Sequence, residues 1–252
     1  MRRSTVVAAT ALLMPAAVAA ADPRPFTFTT DTYPVGKGHW EYEQWVTWEQ
    51  AGDENVYRFR HEFEFGLADN FDLAVYLPNW RYEDTAEQNG IDFESVSIEG
   101  VVYFTNPITD FVGLGLYNEV TVGEDELAFE TKLLVQKDVG DWVFAYNLVL
   151  ETELEGVFDV DEENEVEGVI EHTFGASYAF GPRGDFRAGG ELLVESVYAD
   201  WDAYEDTFVY AGPVFSYWGG DDWFVTVTPM FQLTSSDDEA DFIVRLIAGY
   251  EF

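Results

Sequence analysis

The sequence predicts an all-β fold: a transmembrane antiparallel up-and-down β-barrel of about twelve strands. Three observations predict it. Apolar and polar side chains alternate along one segment after another. The pattern is clearest in the last eleven residues, where Phe242, Val244, Leu246, Ala248, Tyr250 and Phe252 share one face. About twelve such segments follow one another with turn signals between them. The connections alternate between compact ones and a mostly longer, acidic set, as expected of a barrel whose two ends differ.

The strands are expected near 38–49, 56–66, 71–82, 91–104, 111–122, 126–137, 141–154, 166–180, 186–198, 206–218, 223–233 and 240–252. The compact connections are 67–70, 105–110, 138–140, 181–185 and 219–222; the acidic ones are 50–55, 83–90, 123–125, 155–165, 199–205 and 234–239. With an even strand count and both ends on one side, the compact set falls on the periplasmic side and the acidic set outside. Pro213 and Pro229 lie within expected strands, where each removes a ladder donor, so bulges are expected there.

Alternation assigns the faces. In the first strand Trp40, Tyr42, Val46 and Trp48 point outward, with His39, Glu41, Glu43, Thr47 and Glu49 inward. In the second, Tyr57, Phe59, Phe63 and Phe65 point outward. In the seventh, Trp142, Phe144, Tyr146, Leu148 and Leu150 do so, with Asn147, Glu151 and Glu153 inward. An Arg or Lys facing lipid costs roughly 2–4 kcal/mol at the bilayer midplane. That cost turns Arg58, Arg60, Lys132, Arg187 and Arg245 into the lumen, beside Glu62, Glu64, Glu99, Glu119, Glu130, Glu171, Glu191 and Glu195. These are the candidate pore-lining residues. Buried charges must be paired or solvated, so the lumen is either a wet pore or a dense ionic network. Arg58 and Arg60 are expected to bridge carboxylates of the flanking strands, Glu41, Glu43 and Asp72.

The N-terminus reads as an export signal: Arg2 and Arg3, a short apolar run from Val6 to Val18, and the small-x-small signature Ala17-Val18-Ala19. Cleavage is expected between Ala19 and Asp22. The run is shorter than the roughly 20 residues of a membrane helix. The expected organisation is a removed signal peptide over 1–21, a periplasmic segment over 22–37 and a single barrel domain over 38–252.

The chain has no cysteine, which excludes a disulfide framework and thiolate metal sites. Aromatic residues make up 17% and the mean hydropathy is only −0.13. A barrel whose alternate residues face lipid accounts for both. The formal charge of −37 opposes nucleic acid and anionic head groups as partners, and a solvated set of acidic loops carries most of it. No P-loop, HExxH or GxSxG is present. His39, His61 and His172 lack metal-ligand spacing, and the loop Asp159 to Glu165 lacks the glycine and spacing of a calcium loop. No cofactor and no metal are expected.

The ending with Phe252 preceded by Tyr250 resembles the closing strand of bacterial outer-membrane barrels, whose terminal aromatic signals insertion to the barrel-assembly machinery. Two further stretches, Tyr33-Pro-Val-Gly-Lys-Gly-His-Trp-Glu-Tyr-Glu43 and Arg60-His-Glu-Phe-Glu-Phe-Gly-Leu-Ala-Asp-Asn-Phe-Asp-Leu-Ala-Val-Tyr-Leu-Pro78, resemble the entry strand and first hairpin of another group. This is the outer-membrane family named for the meta-pathway of phenol degradation. The resemblance implies a barrel in outer-membrane lipid that passes small, often aromatic, solutes. It supplies no catalytic residues. Two other classes compete with a pore. An outer-membrane lipid hydrolase would use outward-facing His172 and Ser196, which lie across one hairpin. A soluble secreted β-sandwich would also alternate, but would leave the aromatic face and Phe252 without a purpose.

Overall fold

The computed structural model describes residues 24–86, 88–158, 165–220, 222–236 and 239–252. The expected signal peptide and residues 159–164 of the acidic loop lie outside the described residues. Every regular element among those described is a strand. In order they are β1 (Trp40–Ala51), β2 (Glu54–Ala68), β3 (Phe71–Tyr76), β4 (Trp80–Asp84), β5 (Asn89–Phe93), β6 (Ser95–Thr105) and β7 (Gly113–Gly123). There follow β8 (Glu126–Val139), β9 (Trp142–Glu155), β10 (Glu165–Phe180), β11 (Phe186–Ala199), β12 (Ala203–Trp218), β13 (Trp223–Gln232) and β14 (Phe242–Glu251).

Each barrel strand pairs antiparallel with its neighbours, and β1 closes the sheet. It runs against β2 from Trp40↔Phe65 to Ala51↔Glu54, and against β14 from Glu41↔Glu251 to Gln50↔Phe242. Twelve strands form the closed barrel, and β4 and β5 are additional. These two are the distal halves of the expected third and fourth strands. Pro78, which has no N–H to give the ladder, interrupts the third between β3 and β4; Glu94 falls at the matching break in the fourth. The chain stays hydrogen-bonded across the break through Leu77 N–H to His61 O, Asn79 N–H to Ser95 O and Glu94 N–H to Asn79 O. The β4–β5 hairpin then pairs with the end of β2.

The two prolines inside strands do not make bulges. The β12–β13 ladder stops at Ala211↔Phe231 and resumes in the same register at Phe215↔Val227, with Pro213 and Pro229 opposite each other in the gap. Two residues without N–H groups share one interruption, so neither leaves a facing carbonyl waiting for it.

Alternation places Glu41, Glu43, Trp45 and Thr47 of β1 in the buried interior, while Trp40 is exposed on the outer face. Outer-face aromatics gather at both rims. Near the tight turns these include Trp40, Phe65, Trp142, Phe180, Phe186 and Trp223; near the long loops they include Trp48, Tyr57, Tyr82 and Phe242. Phe252 completes the turn-end band at the β1–β14 seam. Its ring stacks on Trp40 at 3.9 Å between centroids, and its N–H donates to Trp40 O at 2.8 Å. Phe252→Ala should therefore loosen the seam, lowering the unfolding midpoint in detergent by the equivalent of about 1–2 kcal/mol. Thermal melts of the folded protein check this; an unchanged midpoint would mean the stack does not hold the seam.

Candidate functional site

The turn-end half of the lumen is filled by the chain's own N-terminal segment. Residues 22–37 are expected as a periplasmic segment, but from Arg24 onward they lie among the inward side chains of the barrel, whose polar groups take up their main chain. The segment adds no strand to the wall. Its main-chain groups are instead taken up one by one by polar side chains of the wall. Glu191 on β11 accepts from the N–H groups of Thr27, Phe28 and Thr29 at 3.0, 2.9 and 2.8 Å. Asn147 on β9 accepts from Thr30 N–H and donates to Thr30 O at 2.7 and 2.8 Å. Gln136 on β8 accepts from Thr32 N–H at 2.7 Å, and Asp72 on β3 from Val35 N–H at 2.9 Å. Phe26 is fully buried in a space that Gly175 leaves open; a methyl group there would meet its ring at 2.7 Å. Gly66 likewise admits the segment, since a methyl group on it would collide with Gly36 O.

Beside the segment, β1 and β2 set four carboxylates face to face: Glu41 opposite Glu64 and Glu43 opposite Glu62. All four are buried. Arg24 of the segment ion-pairs with Glu43 at 3.1 Å. The Trp45 indole N–H donates to the other oxygen of Glu43 at 2.7 Å, and the Arg24 guanidinium lies 4.8 Å from the Trp45 ring centre. The fully buried Glu62 meets Glu43 carboxyl to carboxyl across the ladder.

The loop-end half of the lumen is a cavity of about 990 Å³, reaching Thr85, Glu124, Asp125, Gly156 and Glu239 in the connections, with Arg24 and Thr27–Thr30 at its floor. Acidic lining residues outnumber basic ones by more than two to one. One row of direct cross-strand neighbours runs Glu64, Ala74, Glu99, Glu119, Glu130, Glu151. Like charges opposite one another destabilise a sheet, so the row needs compensation. Arg60 pairs with Glu119 at 2.8 Å and Lys132 with Glu130 at 2.9 Å. The Tyr76 hydroxyl donates to Glu99 at 2.5 Å, and that of Tyr117 to Glu119. Three of the bases also lie over aromatic faces: Arg60 on Tyr76 at 4.2 Å, Lys132 on Tyr117 at 4.4 Å and Arg245 on Phe28 at 4.2 Å.

Of the thirteen candidate lining residues, Arg58, Arg60, Glu99, Glu119, Glu130, Lys132, Glu171, Glu195 and Arg245 line this cavity. Glu62, Glu64 and Glu191 are buried in the turn-end half, away from it, and Arg187 is half-buried on β11. The expected partners differ. Arg60 reaches Glu119, far along the chain on β7, and not Glu41, Glu43 or Asp72; Arg58 pairs with Glu49 at 3.2 Å and with Glu94. Trp45 escapes sequence reasoning because an indole reads as lipid-facing, although its odd-numbered position matches inward Glu41 and Glu43. Arg24 and the threonines escape it because they lie outside any strand pattern. On the outer face, His172 is engaged by the Tyr146 hydroxyl at 2.9 Å and Ser196 by Thr207 at 2.8 Å, so the geometry does not join them as base and nucleophile.

Two outcomes follow for stability. Arg60→Ala removes the partner of a buried carboxylate and should cost roughly 1–3 kcal/mol at low salt and less at high salt, read from unfolding midpoints in detergent. Equal losses at both salts would show the pair is not electrostatic in its effect. In the N-terminal segment, burial lifts the Asp31 carboxyl from 3.8 to about 6, against the opposing pull of Arg24 and of the Tyr33 N–H. A carboxyl raised on folding favours the seated segment below its unfolded value and loses that contribution as pH climbs through the folded one. Asp31→Asn should thus raise the midpoint above about pH 6 and leave it unchanged well below 3.8.

Solved structures share this architecture at low identity. The COG4313 outer membrane channel from Pseudomonas putida F1 aligns with a TM-score of 0.58 at 12% identity, over 88% of this chain and 97% of that one. The NanC porin gives 0.57 at 11%, over 84% and 98%. The β domain of the Bordetella autotransporter Brka gives 0.53 at 11%, over 85% and 98%. Likeness at such identity is likeness of fold. No curated protein matches the chain. A family profile does match, over residues 18–242, and the chain belongs to that family, the Family of unknown function (DUF6662).

Proposed function

We propose that this protein is an outer-membrane channel for small solutes, with an acidic outer vestibule above a lumen narrowed by its own N-terminal segment. The observation that carries this reading is the 990 Å³ cavity inside a closed barrel, lined by charged side chains. A wall built only to fill a barrel has no need of a solvent-sized cavity rimmed by carboxylates. The export signal, the two aromatic bands and the outer-membrane barrels that share the fold support the location. On this reading the signal peptide is cleaved and the tight turns face the periplasm. Tyr250 and Phe252 present the terminal signal to the barrel-assembly machinery.

The resemblance to the phenol meta-pathway family argues for aromatic or hydrophobic solutes. The cavity argues for a different selection. Its floor does offer aromatic faces, but Tyr76, Tyr117 and Phe28 are each covered by a cation. The surplus of carboxylates gives the vestibule a negative potential, which draws cations and repels anions. In planar bilayers under a salt gradient, the reversal potential should show cation preference. Deleting residues 24–36 should raise conductance several-fold. Anion preference would refute the electrostatic reading, and an unchanged conductance in the deletion would show that the segment does not limit flow.

A further inference from the structure

We infer that the floor of the vestibule is a binding site for small guanidinium cations, occupied here by Arg24 of the chain's own N-terminal segment. The inference rests on the channel reading and names a solute class for that same cavity.

The box around Arg24 has the parts that recognise a planar cation. The Trp45 ring lies 4.8 Å from the guanidinium carbon, and Glu43 takes the Nε edge at 3.1 Å. Trp45 and Glu43 are locked together by the indole N–H bond at 2.7 Å, so ring face and carboxylate act as one preformed unit. A flat, delocalised cation gains from both a ring and a carboxylate; a compact, strongly hydrated one gains mainly from the carboxylate.

The box holds more carboxyl groups than its occupant pairs with. Glu41, Glu43, Glu62 and Glu64 stand in two facing pairs, and fully buried Glu62 meets Glu43 carboxyl to carboxyl. The neighbouring base on β2, Arg60, pairs with Glu119, and its guanidinium and that of Arg245 also lie 5.5 and 5.8 Å from the Trp45 ring centre. Among the described residues no group of three acids or histidines is spaced to hold a metal ion.

The occupant can be exchanged from the vestibule. Arg24 and Trp45 both line the cavity, and the Arg24 side chain keeps 17% of its surface exposed. Glu191, Asn147 and Gln136 hold Thr27 to Thr32 independently of it. The guanidinium can therefore swing away while the rest of the segment stays seated. An incoming guanidinium competes with a tethered one, whose effective concentration is of roughly millimolar order.

The test is calorimetric titration of methylguanidinium chloride into the full chain in detergent, with folding checked by heat-modifiable migration on a gel. Potassium and tetramethylammonium chloride serve as comparisons at equal ionic strength. Arg24→Gln removes the tethered competitor and should bind methylguanidinium at least about tenfold more tightly than the unaltered chain. Arg24→Lys should tighten binding by less. Adding Glu43→Gln to Arg24→Gln should abolish the gain. Binding by Arg24→Gln no tighter than by the unaltered chain would overturn the inference, as would affinity that survives the loss of Glu43. So would equal binding of tetramethylammonium. Should Arg24→Gln not fold, Arg24→Lys decides by the same comparison. Bilayer conductance of the same proteins separates the two readings: conductance without methylguanidinium binding removes this inference alone, whereas binding without conductance removes the channel and leaves the site.

Discussion

A closed barrel has two faces, and only one of them tolerates charge. That constraint organises the molecule. The outer face must meet hydrocarbon, so charge at membrane depth is driven into a lumen only twelve strands around. The lumen cannot be apolar, and it cannot leave its charges bare. Everything distinctive about the interior follows from the two ways in which those charges are satisfied.

In the turn-end half, the barrel satisfies them with its own chain. A carboxylate such as Glu191 needs several donors at once, and three consecutive main-chain N–H groups supply them without bringing any bulky side chain. The composition of the segment suits this arrangement, with small threonines beside the wall and Phe26 filling the recess at Gly175. The same exchange works in reverse for the segment, whose unpaired backbone would otherwise be buried without partners. The extended segment and the polar wall are therefore complementary in hydrogen bonding, each supplying what the other lacks. In the loop-end half no described segment fills the lumen in this way, and the carboxylates rely on Arg58, Arg60, Lys132 and Arg245 together with the space of the cavity.

The wall was legible in the sequence because alternation is local. A period of two can be read from ten residues, and the cost of a lipid-facing charge fixes which face is which. The barrel class and strand rhythm followed from these, and nine residues of the inward list line the cavity. What was not legible depends on residues far apart. Arg60 on β2 finds Glu119 on β7, three strands away in the sheet, which spacing along β2 does not reveal. Pro213 and Pro229 cancel because they are opposite partners, a fact of register. The break at Pro78 was visible as a proline, but its consequence depended on the hairpin beyond it. The N-terminal segment escaped altogether: an extended strap has no period. Its only trace was a cluster of Phe and Thr ahead of the first strand.

The division of the lumen also explains how so acidic a chain can fold. Repulsion among carboxylates is strongest where water is excluded, and there the structure supplies main-chain donors and the Arg24 guanidinium. Where the row of Glu99, Glu119, Glu130 and Glu151 climbs along the cavity, Tyr76, Arg60 with Tyr117, and Lys132 compensate the first three in turn. The surplus negative charge is thus stored at the open end, where it costs least and acts farthest. On the proposed channel reading, a potential concentrated there acts on solutes before they reach the narrow half. Glu43 belongs to the boundary between these regimes: it is buried with the segment, yet its partners Arg24 and Trp45 face the cavity. At that boundary a change of occupant alters the local charge balance without unpacking the wall.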